Sequence, residues 1–424
     1  MIVKSFLLRP ERATSIAALC PAGTIAVIRP ESRIEGLFRD AIRAALVEKN
    51  PSGAPYDAIR AYFDSFSGDA AYRRIVEDTL HGLSSYLGEG MYVQTSAAAI
   101  EDYVMAKCTR LCAEAVASRL GAPLVGGTQL MICHEGGARP FVDWTLSRAQ
   151  ISQRLAGQEL VVVPGGYGRL DSGYVVRIGR GGAHLMASLI ASATAADCVE
   201  YYVEEDGIAG LPAMSYDEAA HYCASSAAPF PSAALWPAKR DSIPIKVLNI
   251  CNPDFPGTVI SEAGSPSGSV VSGVLCDSGL ELLTVYGTGL LGQIGMSSAV
   301  FSAMAGAGVN VRFIAQTSSE YSISFAVAAS DRDKAVEAVS SLVVSNPHMP
   351  QDDVMVLDSS VAILTVFGDK MKKVPGVSAK VYDALGKAGI SVVASAQGGE
   401  ELSISVAVAA EDALRAQNAL ESLA

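Results

Sequence analysis

Basic residues are scarce in this chain of 424 residues: 32 Lys and Arg stand against 44 Asp and Glu, a net charge of −12. Binding a phosphate backbone needs clustered cations. No basic patch interleaved with aromatics is present, so no nucleic-acid partner is expected. Charged residues make up only 18% and aromatics 7%. With 50% hydrophobic residues and a mean hydropathy of +0.29, the chain has the apolar surface to fold and is not disordered. Long apolar runs are missing; each is cut by Gly, Ser or a charge, so no membrane span is expected. Met1 to Arg12 holds one short apolar run without a small-residue cleavage site and does not read as a signal peptide. The eight cysteines, at 20, 108, 112, 133, 198, 223, 251 and 276, contain no CxxC pair. No metal site is therefore expected, and a reduced, cytoplasmic protein fits best. Cys108 and Cys112, four apart on one expected helix, read as small core hydrophobes.

An internal repeat is present. Leu283-Thr284-Val285-Tyr286-Gly287 recurs as Leu364-Thr365-Val366-Phe367-Gly368, a shift of 81 positions. The same shift carries Gly295 to Gly376, Gly308 to Gly389, Gln316 to Gln397, Glu320 to Glu401 and Ser322-Ile323-Ser324 to Ser403-Ile404-Ser405, without a gap. Within each copy an alternating strand (282–286 in the first) leads into a glycine-rich loop. A helix carrying Val300, Phe301 and Met304 follows and stops at Gly308. Strands over 309–315 and around Ile323, Phe325 and Val327 come next, and a second helix starts near Asp331. The order βαββα predicts a four-stranded antiparallel sheet with helices on one face. An exposed edge strand in each copy favours pairing with a second chain.

Ahead of the repeat lie about 260 residues in which strands and helices alternate. Ala97 to Leu120 reads as a long helix closed by Gly121, and His184 to Ala195 as another. Strands are expected at 159–163, 199–203 and 243–249. This alternation predicts a mostly parallel sheet covered on both faces, with ligands at the carboxyl ends of its strands. The domains expected are 1–260, a Ser/Gly/Pro-rich linker at 261–272, and modules at 273–346 and 355–424.

Four stretches of the large region carry a resemblance: Val162-Val163-Pro164-Gly165-Gly166-Tyr167-Gly168 with Ile178-Gly179-Arg180-Gly181-Gly182-Ala183-His184; Tyr202-Val203-Glu204-Glu205-Asp206-Gly207; Met214-Ser215-Tyr216-Asp217-Glu218-Ala219; and Ile243 to Asn249 with Asn252 to Ser261. Together they resemble the aspartate kinases of the amino-acid kinase superfamily. The repeats resemble that family's paired ACT domains, Gln316 to Phe325 being close to the first ACT signature. The resemblance implies an α/β fold, a three-layer kinase-like domain followed by two ferredoxin-like modules. It also implies phosphoryl transfer from MgATP to the aspartate side chain, with feedback by an end-product amino acid of the lysine, threonine and methionine pathway.

Position by position, the implied site is eroded. The family's Lys-Phe-Gly-Gly-Thr-Ser reads Lys4-Ser5-Phe6-Leu7-Leu8-Arg9. Lys4 is the candidate phosphate lysine, while Phe6 or Leu7 would put a side chain where the phosphates sit. Gly-Arg-Gly-Gly-Ser-Asp reads Gly179-Arg180-Gly181-Gly182-Ala183-His184. Arg180 is expected to grip a substrate carboxylate, and His184 is a candidate acid or base, or a lone histidine at a helix start. Gly-Glu-Arg-Leu reads Cys108-Thr109-Arg110-Leu111, so Thr109 replaces the carboxylate that would neutralise the substrate ammonium. Gly-Val-Thr aligns with Arg33-Ile34-Glu35. The nucleotide side is expected at Gly165, Gly181, Gly182, Glu204, Asp206 and Gly207, but most of the segment after Asp206-Gly207 is missing.

Effector contacts are expected in the first module at Gln293, Ile294, Asn310 and Gln316; Ser391 replaces Asn310 in the second, which is expected not to bind. Three readings stay open. One is a catalytically degenerate homologue that senses an amino acid, lysine or threonine, as a homodimer joined through the ACT modules. Another is an aspartate kinase, or a kinase of a related amino acid, working with Lys4, Arg110 and Arg180. The third is a scaffold without ligand.

Overall fold

The computed structural model describes residues 1–48, 53–66, 69–88, 96–136, 140–208, 211–223, 228–264, 269–287, 294–318, 321–345, 354–372 and 374–423. Two compact units emerge: 1–220 with 229–264, and 221–228 with 265–424.

The first unit opens with β1 (Ile2–Leu8), α1 (Ala13–Ala18) and β2 (Thr24–Pro30). Helices α2 (Ser32–Leu46), α3 (Ala54–Asp64), α4 (Ala70–Gly88), α5 (Ala97–Leu120) and α6 (Gly127–Leu130) follow. Then come β3 (Ile132–His134), β4 (Phe141–Val142), α7 (Trp144–Leu155), β5 (Leu160–Pro164), β6 (Tyr167–Leu170), β7 (Val175–Arg177), α8 (Gly182–Thr194) and β8 (Cys198–Val203). The unit ends with β9 (Ala213–Met214), α9 (Tyr216–Cys223), α10 (Trp236–Arg240), β10 (Ile245–Asn249) and β11 (Thr258–Ile260).

Seven strands form the main sheet in the order β5-β2-β1-β8-β10-β11-β9. The first five run parallel, as the alternation predicts, and β11 turns antiparallel to β10. The central strands are buried nearly throughout, which is why they read as continuous Val/Ile runs. Phe6, Ala26 and Ile28 pack against Phe38, Phe63, Leu111 and Val116 from the helices of one face. Val27, one residue out of phase, faces the start of α8. Ser96 caps α5 through its Oγ, 3.2 Å from the amide of Ala99, and Gly121 closes it in the left-handed region at φ 60°. Cys108 and Cys112 are both fully buried in that helix. A second sheet, β4-β3-β6-β7, has strands of two to four residues, too short to announce themselves by alternation.

The second unit contains β12 (Gly273–Gly287), α11 (Met296–Gly306), β13 (Phe313–Gln316), β14 (Ser322–Ala328), α12 (Arg332–Ser345), β15 (Val354–Phe367), α13 (Val377–Lys387), β16 (Val392–Gln397), β17 (Ser403–Ala409) and α14 (Ala413–Glu421). All six strands join one sheet, β13-β14-β12-β15-β17-β16. The strands β12 and β15 are long because each serves both repeats. Residues 273–277 of β12 pair with 363–367 of β15, and 280–287 with 354–361, across a bulge between Asp277 and Leu280. The repeats are therefore interlocked rather than strung in series. Each keeps a helical core of its own, around Val300, Phe325 and Val339 in the first and Leu364, Val381 and Val406 in the second. A shared core on the other face holds Leu280, Leu282, Phe313, Val361, Ile363 and Ala407. The end strands β13 and β16 approach each other, so the sheet curls around this shared core.

Phe325 is fully buried in the first repeat. Phe325→Ala is expected to cost about 3–5 kcal/mol. Because β12 and β15 are shared, backbone amides of β14 and β17 should lose hydrogen-exchange protection together. Loss confined to β14 would show that the shared sheet does not couple the repeats.

Candidate functional site

A cavity of about 380 Å³ opens beside the carboxyl ends of β2 and β5. Its floor is glycine: Gly165 and Gly166 after β5, and Gly179, Gly181 and Gly182 before α8. A Cβ on Gly165 would lie 2.7 Å from Val27 Cγ1 and 2.8 Å from Ala183 Cβ, so the chains approach as only glycine allows. Gly181 stands at the amino end of α8 with φ 70°, and no side chain caps that end. The helix thus presents its partial positive charge to the cavity.

Charged side chains come from several elements. Arg29 ends β2, Arg177 ends β7 and Arg180 lies in the glycine loop; Glu35 projects from α2. Burial pulls the Arg29 guanidinium below its ordinary pKa, against the pull of Glu204 and Glu35. Arg177 donates its backbone N–H to Asp102, at 3.0 Å. The Arg29 Nε and Arg177 Nη2 atoms are buried without a hydrogen-bond partner among the described residues.

Thr109, Arg180, His184, Gly165, Gly181 and Gly182 are brought together here. The Thr109 hydroxyl donates back to the Met105 carbonyl, at 3.1 Å. His184 is 1% exposed, packed against Tyr201 and Phe230, with neither ring nitrogen hydrogen-bonded among the described residues. Burial first, and then the nearby charge of Arg29, hold its imidazole well below the ordinary value, so it is neutral.

Other residues lie elsewhere. Lys4 is not on the cavity wall: its Nζ is 2.9 Å from Glu200 Oε2, both side chains being about one-tenth exposed, and 5.7 Å from the Tyr202 ring centre. Tyr202 donates its hydroxyl to the same carboxylate, at 3.0 Å. Phe6, expected to obstruct the phosphate site, instead stacks on Tyr202 at 4.6 Å inside the core. Arg110 sits on the exposed side of α5, 3.4 Å from Glu114. Asp206 accepts from the side-chain amides of Asn249, at 2.7 Å, and Asn252, at 3.2 Å. A Cβ on Gly207 would meet Thr258 Oγ1 at 2.5 Å.

Glu204 is the informative one. In the sheet order, β2 and β5 lie to one side of β1, and β8 and β10 to the other. The crevice between β1 and β8 is therefore the topological switch point, where ligands of open α/β sheets bind. Arg9 follows β1 and Glu204 follows β8. Arg9 Nη2 is 2.7 Å from Glu204 Oε1, and Arg12 Nη1 2.8 Å from the same oxygen. Arg9 Nε also lies 3.4 Å from Glu31 Oε2, and Arg12 donates to Cys251 Sγ at 2.8 Å. Both guanidinium groups are spent on protein carboxylates, and a carboxylate stands where a phosphate would need positive charge. These residues do not fit a nucleotide phosphate.

The cavity residues missed by motif reading are Arg29 and Arg177. The available signal was a lone arginine at the carboxyl end of an apolar strand, Thr24 to Pro30.

In the second unit, Ile294 is fully exposed and Asn310 and Gln316 are exposed. Ser297 donates to Gln316 Oε1 at 3.3 Å, and its counterpart Ser378 to Gln397 Oε1 at the same distance. Gln293 lies outside the described residues. The second repeat, expected not to bind because of Ser391, carries a hollow of about 340 Å³ lined by Met371, Pro375, Gly376, Ser378, Gln397 and Glu401.

Comparison with known proteins agrees with this architecture. Residues 57–249 match the amino acid kinase family, and 283–342 and 364–423 each match the ACT domain. By these matches the chain carries an amino acid kinase domain and tandem ACT domains. Its relatives are aspartokinases. It is 32% identical over 276 residues to the bifunctional aspartokinase/homoserine dehydrogenase of Haemophilus influenzae, covering 62% of this chain and 34% of that protein. It is 26% identical over 259 residues to the chloroplastic aspartokinase 2 of Arabidopsis thaliana, covering 58% and 47%. The chain thus spans about a third to a half of the length of these relatives. Among solved structures, the aspartate kinase of Clostridium acetobutylicum superposes with a TM-score of 0.81 at 19% identity over 100% of both chains. Aspartokinase III of E. coli in complex with aspartate and ADP gives 0.76 at 19% identity, over 100% of this chain and 99% of that one.

Two outcomes test this geometry. Glu200→Gln leaves Lys4 buried without a counter-charge and should cost about 3 kcal/mol, read as a lower urea midpoint; Lys4→Met added to it should recover part of the loss. His184 titrates with a depressed folded-state pKa, so the unfolded chain binds the proton first. Its contribution is complete above about pH 6.5 and is lost as pH falls below that, by up to about 1.4 kcal/mol per pH unit. His184→Phe should flatten this acid limb in pH-dependent chemical denaturation; an unchanged slope would show that another group sets it.

Proposed function

We propose that this chain is a catalytically degenerate homologue of the aspartokinases, an amino-acid-sensing protein of the lysine, threonine and methionine pathway. The observation that carries this reading is the Arg9–Glu204–Arg12 ion-pair cluster across the β1/β8 crevice. Phosphoryl transfer depends on charge arranged in advance around the moving phosphate, and the two guanidiniums at the β1/β8 crevice, Arg9 and Arg12, are paired with Glu204. The displacement of Lys4 into a buried pair with Glu200 supports the same conclusion.

The ACT repeats supply the sensing surface. In both, a helix begins at a glycine in the left-handed region, Gly295 at φ 90° and Gly376 at φ 87°, with a glutamine held beside its first turn. Such an end suits the carboxylate of a free amino acid, and lysine or threonine is the effector expected. The half-exposed side chains Ile314 of β13 and Val393 of β16 offer an apolar surface for a homodimer.

A thermal-shift series with MgATP, aspartate, lysine, threonine and methionine tests this, since a ligand of the folded state raises the melting temperature by mass action. Lysine or threonine should shift the transition while MgATP leaves it unmoved, and no acyl phosphate should form from aspartate and MgATP. A clear MgATP shift with aspartate turnover would restore the active-kinase reading, with MgATP as cofactor.

A further inference from the structure

The glycine-floored cavity has an unusual charge balance. Three guanidinium groups, Arg29, Arg177 and Arg180, line it together with one carboxylate, Glu35. That carboxylate is already engaged: its Oε2 lies 3.3 Å from Arg39 Nη2. No second carboxylate is on the wall among the described residues. Thr109 stands where the family resemblance implies a carboxylate facing a ligand ammonium, and its hydroxyl is turned back to the helix carbonyl of Met105. An ammonium group entering here would find no unengaged carboxylate on the described wall: Glu35 is paired with Arg39, and Glu204, which acts on Arg29 from beyond the wall, is held by Arg9 and Arg12.

The unpartnered atoms point the same way. Arg29 Nε, Arg177 Nη2 and both ring nitrogens of His184 are buried without a protein partner among the described residues, and all three residues line the cavity. Buried polar atoms left unpaired cost free energy that a ligand can recover. Two of these three side chains are cationic donors, so the matching ligand is rich in anionic acceptors. The uncapped amino end of α8, a helix of 13 residues, adds N–H groups that favour an anion. The three guanidiniums rise from three separate elements around the wall. That arrangement offers forks to two carboxylates at once.

We propose that this cavity binds a small dicarboxylate without an amino group, of about four carbons, rather than an amino acid. The inference rests on the reading that the site no longer phosphorylates aspartate, and it names the ligand class the remaining residues select.

Titration calorimetry on the full chain with succinate, aspartate and inorganic phosphate, without nucleotide, tests it. Succinate should bind at least about tenfold more tightly than aspartate, a difference of about 1.4 kcal/mol. Arg180→Gln, an exposed change not expected to disturb folding, should weaken succinate at least about tenfold; Arg177→Gln should do the same, with folding checked by its melting temperature. Aspartate binding as tightly as succinate, phosphate binding in its place, or no binding at all would each overturn the proposal. The MgATP and aspartate turnover assay separates the two readings. Turnover sinks the degenerate-homologue reading, whereas absence of turnover with no succinate binding sinks only this one.

Discussion

Charges tie the two central strands of the kinase-like unit together, and the site takes its form from that tie. Within the sheet, Lys4 of β1 pairs with Glu200 of β8. At the carboxyl end, Arg9 reaches from the end of β1 to Glu204 at the end of β8. A buried ion pair is weak grounds for stability by itself, since desolvation offsets most of the attraction. Its consequence here is positional. Lys4, the phosphate lysine that the family resemblance implies, is held in the core, and the crevice at the switch point is bridged by protein charge. What stays open is the neighbouring cavity over the glycines of β5 and α8.

That division separates scaffold from chemistry. The glycines remain because backbone packing needs them. Gly165 is pressed against Val27 and Ala183, and Gly182 against Ile178 and Gly166. They would be required whether or not a ligand bound. Among the side chains beside them, Ala183, His184 and Thr109 all differ from the pattern the family resemblance implies. His184 is buried with both ring nitrogens unpaired among the described residues, which is costly in an apolar surround.

In the second unit, the constraint is a shared sheet. Two strands long enough to serve both repeats make one six-stranded layer, so a ligand that orders one repeat acts on hydrogen bonds common to both. Coupling between two sites requires such a two-sided element, and β12 and β15 provide one.

Much of this was legible in the chain alone. The parallel sheet, the long helix closed by Gly121, the repeat with its shift of 81 positions and the glycine loops all follow from periodicity and turn chemistry, which act over a few residues. The departures from the motifs that the family resemblance implies were legible too, because they concern which residues are present. Where those residues went was decided by tertiary structure. Phe6 entered the core instead of the cleft, since the pleat of β1 turns it toward Tyr202. Arg29 and Arg177 reached one cavity from strands about 150 positions apart, a juxtaposition no local pattern encodes. The exchange of strands between the repeats likewise depends on a bulge at Asp277 and on pairing across some 80 residues. Local physics wrote the elements into the sequence; long-range packing and charge compensation chose which side chains meet.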